Sequence, residues 1–107
     1  MKVLNARGSG WTDDTLPLNS IYVGRHLNDR RRGSGVRFKS SKWANKFPIP
    51  VGATDDERRV VIAQYRAWLL LQPELMAALP ELRGKDLICW CASKPCHADV
   101  LLELANA

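Results

Sequence analysis

Nothing in this chain of 107 residues is both long and apolar. The longest hydrophobic stretch, within Val60 to Leu71, is broken by Gln64 and Arg66. A bilayer crossing needs about 20 consecutive apolar residues, so no membrane partner is expected. The opening Met1-Lys2-Val3-Leu4-Asn5 lacks the apolar region of a secretory leader. A soluble, cytoplasmic protein is the expectation. Cysteine is scarce too, with three residues confined to positions 89 to 96. An odd number makes a disulfide framework a poor reading. Cys89 and Cys91, one residue apart on an expected strand, share a face but are poorly placed to bridge each other. Metal binding or reactive-thiol chemistry fits the cysteines better.

Hydrophobic residues make up 46% of the chain, enough for one core. A chain of this length buries roughly two-thirds of its unfolded surface without obligatory staples. The net charge of +5 is unevenly spread. Arg25, Arg30, Arg31, Arg32, Arg37, Lys39, Lys42 and Lys46 face a single acid, Asp29, between residues 25 and 46. Basicity concentrated in one segment suits a phosphate-bearing partner, a nucleotide or nucleic acid, or else a solvated loop.

Val3 to Ala6 and Ile21 to Gly24 read as short strands, the second the stronger because β-formers end on a glycine. Residues 25 to 53 read as one long irregular, basic loop, in which Phe38, Trp43 and Phe47 argue for partial packing. Thr54-Asp55-Asp56-Glu57 is a capping box that opens a helix, and Val61, Tyr65, Trp68 and Leu69 recur along its inner face. Pro73 ends that helix and starts another, Glu74 to Leu79. Leu87 to Cys91 is a strand, and Cys96 to Ala105 a final helix with Val100, Leu101 and Leu104 inward. Trp90, alternating with the two cysteines, should pack on the opposite sheet face beneath a helix. A helical crossover makes Ile21–Gly24 and Leu87–Cys91 parallel neighbours. The expected fold is therefore α/β, a single domain over residues 1–107 with a small, single-layer, mostly parallel sheet flanked by helices. Ligands of such sheets gather at the carboxyl ends of the strands, where Gly24, Arg25, His26 and Cys91 would meet.

Tyr22-Val23-Gly24-Arg25, Ser41 through Phe47, Tyr65 through Leu69, Leu82 through Leu87, and Cys89-Trp90-Cys91 through Cys96-His97 to Leu101 form an ordered set of motifs. Together they resemble the bacterial and phage family called domain of unknown function 4326. The resemblance spans about residues 20 to 106, with Lys46, Ser93 and Ala98 standing where that family often has proline, proline and glycine. It implies a small, often phage- or prophage-associated domain whose activity the family name leaves open. A looser likeness, to domain of unknown function 488, pairs an early strand ending in Gly-His with a late Cys…Cys-His helix. Here Arg25 separates Gly24 from His26, and the likeness serves as analogy for fold and site location.

Three readings of the cysteine segment stand side by side. Cys89, Cys91, Cys96 and His97 offer a Cys3His set that would take zinc, although Cys-x-Cys-x4-Cys-His is unusual spacing. Cys96 at a helix N-terminus could instead be a thiolate nucleophile, with His97 or His26 as acid or base, in a transferase or hydrolase. The segment could also be structural, with Cys89 as plain core. Gly24, Arg25, Lys42, Trp43, Asn45 and Cys91 are the candidate ligand-binding residues, with Trp43 and Asn45 able to stack on and hydrogen-bond a base. The two functional expectations are an enzyme acting on a nucleotide, nucleic-acid component or other phosphorylated ligand, and a non-enzymatic, zinc-stabilised module binding nucleic acid or protein.

Overall fold

A computed structural model describes residues 1–28, 35–91 and 94–107. Its element order is β1 (Val3–Asn5), β2 (Ser20–Tyr22), β3 (Leu27–Asn28), β4 (Val36–Phe38), α1 (Asp55–Leu70), α2 (Pro73–Ala78), a 3-10 turn (Leu79–Leu82), β5 (Asp86–Cys89) and α3 (His97–Ala105). The fold is α/β. β5 lies between β1 and β2 and is parallel to both, with Leu87 opposite Val3 on one side and Ile21 on the other. A central parallel strand buries both faces, which is why Leu87 and Ile88 are adjacent and apolar.

Alternation along β5 divides the core in two. Leu87 and Cys89 face Tyr65 and Leu69 of α1, Leu82 of the 3-10 turn, and Val100 and Leu101 of α3. Ile88 and Trp90 face the other way, against Tyr22, Phe38 and Leu27. All three helices thus cover one face of the sheet.

The opposite face corrects the reading of residues 25 to 53 as wholly irregular. β3 and β4 pair antiparallel, and Phe38 stacks on Tyr22 at 4.1 Å between ring centroids. Trp90 meets Phe38 edge-on, so it packs beneath this β-ribbon rather than beneath a helix. Arg37 is buried with it, donating from Nε to the Trp11 carbonyl at 2.7 Å and lying over the Trp90 ring. Arg30, Arg31 and Arg32, central to the reading of a basic loop, lie outside the described residues.

α1 starts where the capping box places it. Thr54 Oγ1 accepts from the Glu57 N–H, and Glu57 accepts from the Thr54 N–H, both at 3.1 Å. Among the described residues no helix is long and apolar enough to cross a membrane.

Candidate functional site

The parallel sheet sends the ends of β2 and β5 to the same edge of the molecule. There a cleft of about 230 Å³ opens. Gly24 and Arg25 line it from beyond β2, Asn45, Phe47 and Ile49 from the following loop, Cys89, Trp90 and Cys91 from the end of β5, and His97 from α3. A larger hollow of about 680 Å³ lies between α1 and α3, but it is a shallow charged groove without a thiol or imidazole. Its Arg66 is paired with Glu103 at 2.8 Å. Cys89, Cys91 and His97 line the smaller cleft instead.

Backbone and side-chain bonds fix the cleft walls. Arg25 donates from Nε to the Asn45 carbonyl at 2.7 Å, and the Asn45 side chain accepts from the Phe47 N–H at 2.9 Å. Tyr22 donates its hydroxyl to the Arg25 carbonyl at 2.7 Å and accepts from Trp90 Nε1 at 2.9 Å. The Tyr22 ring thereby lies against Gly24, where an added Cβ would come within 2.6 Å of Tyr22 Cζ. Gly24→Ala must displace that ring and both of its bonds. We expect a loss of about 1–3 kcal/mol, the usual cost of overpacking, measurable by urea unfolding.

α3 brings the remaining groups. Cys96 is its N-cap, and its N–H donates to Asp99 Oδ2 at 3.0 Å. The Cys96 sulfur is fully buried, donates to Cys89 Sγ at 3.2 Å, and lies 3.5 Å from His97 Nδ1. His97 Nε2 lies 2.7 Å from the Val23 carbonyl. A carbonyl only accepts, so Nε2 carries the proton and Nδ1 presents a lone pair toward Cys96. Burial pushes the His97 pKa down and nearby Arg25 adds to this, which keeps the ring neutral.

Of these two thiols, Cys91 is the one whose pKa is lowered. Cys91 is half-buried, and hydrogen bonding from Cys96 together with the Arg58 guanidinium lowers its pKa to about 6 despite partial burial. Cys96 moves strongly upward, because its thiol bonds to Cys89 and Cys91 and is shut away from water. The Ala98 N–H at the start of α3 does favour a Cys96 thiolate, as a helix terminus should. It is outweighed, and the Cys96 thiol donates to Cys89. These shifts favour Cys91 over the expected Cys96 as the thiolate.

Arg58 was not among the expected site residues. It is 8% exposed, donates from Nε to the Pro95 carbonyl at 3.0 Å, and has an Nη2 without a hydrogen-bond partner among the described residues. Its position was detectable: Arg58, Val61, Tyr65 and Leu69 are the buried residues of α1, so a charge sits on the apolar stripe.

Several expected site residues lie elsewhere. His26 is exposed and hydrogen-bonded to Asn28 Oδ1 at 2.8 Å, outside the cleft. Lys42 pairs with Glu81 at 2.8 Å. Trp43 is 2% exposed, part of the core and no stacking platform, and its carbonyl accepts from the Tyr65 hydroxyl at 2.7 Å. Gly24, Arg25, Asn45, Cys91 and His97 do converge. The zinc reading fares worse. Among the described residues no group of three or more His, Cys, Asp or Glu is placed to hold a metal ion. Tetrahedral zinc keeps its thiolate sulfurs about 3.7 Å apart, whereas Cys89 and Cys96 approach to 3.2 Å as a hydrogen-bonded pair.

Fold and site together define a small α/β domain with a thiol at the carboxyl end of its central strand. The chain belongs to the family described as domain of unknown function (DUF4326), whose profile matches residues 6–107. No curated protein matches the chain, and no solved structure does.

Proposed function

We propose that the domain binds a small phosphate-bearing ligand in the strand-end cleft and attacks it with the Cys91 thiolate, as a transferase or hydrolase. The carrying observation is the setting of Cys91, half-open to a cleft with Arg25 on its wall and backed by the buried Arg58. An ionised thiolate needs no base to attack, and Arg25 offers an anionic group a charged partner. Cleft size limits the ligand. At about 230 Å³ it falls below the roughly 300–1,000 Å³ of ordinary small-molecule pockets. One sugar phosphate, or a single unit of a nucleotide, matches that space.

The alternative, a non-enzymatic nucleic-acid module, rests on the basic segment. Three of its bases are already engaged: Arg37 in the core, Lys42 with Glu81, and Lys46 over the Trp68 ring at 4.6 Å. The cleft is the better supported reading.

Ligand protection tests it. Iodoacetamide modification of Cys91, followed by peptide mass spectrometry, should slow about five-fold or more in millimolar ribose 5-phosphate or AMP, because a bound ligand covers the thiol. Glucose should not protect, and Arg25→Ala should abolish protection. Equal rates with and without the phosphate probes overturn the phosphate-ligand reading.

A further inference from the structure

We propose that the strand-end site takes a diphosphate ester, with one phosphate in the cleft at Arg25 and the next at Arg7, on the other side of Cys91. This rests on the phosphate-ligand reading of the cleft and adds a residue and a ligand class to it. β5 is the central strand, so its end has a neighbour on each side. On one side Asn5 lies opposite Cys89, and the Ala6 N–H donates to the Cys89 carbonyl at 2.8 Å. Counting on in that register brings Arg7 level with Cys91. On the other side Tyr22 lies opposite Ile88, and the Val23 N–H donates to the Ile88 carbonyl at 2.9 Å. The same count brings Arg25 level with Cys91. Neighbouring strands are spaced by about 4.8 Å, so the thiol stands between two arginines whose backbones are about 10 Å apart.

Neither guanidinium meets a carboxylate. Arg7 and Arg25 are exposed, and the ion pairs among the described residues are Lys42 with Glu81, Arg59 with Asp56 and Arg66 with Glu103. Asp99, the acid at the start of α3, accepts from the Cys96 N–H. Arg58 is buried behind the thiol and bonded to the Pro95 carbonyl, which leaves Arg7 and Arg25 for ligand charge. The bond from Arg25 Nε to the Asn45 carbonyl holds that side chain on the β2 side and keeps its Nη groups for a ligand. On the β1 side, the Asn5 side chain accepts from the Arg7 N–H at 2.9 Å, and Gly8 with φ +73° turns the chain away just after it. The charge of Arg7 acts on Cys91 and that of Arg25 on His97, in keeping with groups on opposite flanks. A single phosphate held at Arg25 leaves Arg7 unused, whereas a second, linked phosphate crossing the end of β5 engages it. That second phosphate lies outside the cleft, whose lining does not include Arg7, so the cleft of about 230 Å³ still holds only one unit.

The test is protection of Cys91 from iodoacetamide in the full, reduced chain, with AMP and ADP as probes and EDTA to keep metal ions off them. The probes share one nucleoside, so their difference reports the second phosphate. We expect ADP to reach half-protection at about five- to ten-fold lower concentration than AMP, the gain from one added hydrogen-bonded charge contact. Arg7→Ala should return ADP to the AMP value and leave AMP itself unchanged. Each rate is taken relative to the same variant without ligand, because Arg7 also acts on the thiol. Should Arg7→Ala fail to fold, the ratio of ADP to AMP in the wild type decides by itself. Equal protection by ADP and AMP, or an ADP advantage that survives Arg7→Ala, overturns the diphosphate assignment while the single-phosphate reading stands. A thymidine oligonucleotide that protects at lower phosphate concentration than ADP also overturns it, in favour of a nucleic-acid strand. No protection by either nucleotide removes both readings.

Discussion

Arg58→Met should move the pH midpoint of Cys91 alkylation up by about one to two units and slow the reaction at pH 7 by about two- to three-fold. The guanidinium is buried at the first turn of α1, beside a thiolate, and carries a full charge out of water. An opposite charge at such a site favours the ionised thiol, so its removal raises the pKa from about 6 toward the ordinary thiol value near 8.5. With a pKa near 8, only about a tenth of Cys91 would be ionised at pH 7. The higher intrinsic reactivity of a more basic thiolate offsets part of that loss. Methionine fills a similar volume, and the Pro95 carbonyl loses its donor. Global stability should therefore change far less than reactivity, since removing a buried charge with an incompletely bonded guanidinium offsets the lost hydrogen bond. An unchanged midpoint in the variant would assign the Cys91 shift to Cys96 alone.

Trp43→Ala should cost about 3–5 kcal/mol of stability, the range for deleting a buried aromatic. For a domain of this size that lowers Tm by about 15–30 °C in calorimetry. The indole is 2% exposed within the helical side of the core, and the Tyr65 hydroxyl anchors its backbone carbonyl. Two residues on, the Asn45 carbonyl holds Arg25 at the cleft. The substitution should thus loosen the cleft as well as the core. A loss under about 1 kcal/mol would place the ring outside the core and restore its reading as a ligand platform.

Trp43 also shows how far the sequence could be read. Local patterns carried the helical layer well: the capping box at Thr54, the stripe from Val61 to Leu69, and Pro73 at a new helix each act over a few residues. The parallel pairing of β2 with β5, and hence the meeting of Gly24, Arg25 and Cys91 at their carboxyl ends, followed from the crossover between them. The β-ribbon did not, because Leu27–Asn28 and Val36–Phe38 are too short to show a period of two among so many bases. Side-chain roles inside the site depended on burial, which is a tertiary property. A helix start favours a thiolate at Cys96, and nothing local says that Cys89 and His97 close over it. Arg58 drew no role from the sequence, although it falls on the stripe of α1 that is buried.

The most direct test of the central claim is the rate of iodoacetamide modification at each cysteine from pH 5 to 9, resolved by peptide mass spectrometry. Cys91 should show a midpoint of about 6 and a plateau above pH 7, while buried Cys96 stays unmodified in the folded protein. A Cys91 rate still rising about ten-fold per pH unit through pH 8, as an ordinary thiol does, would contradict the account.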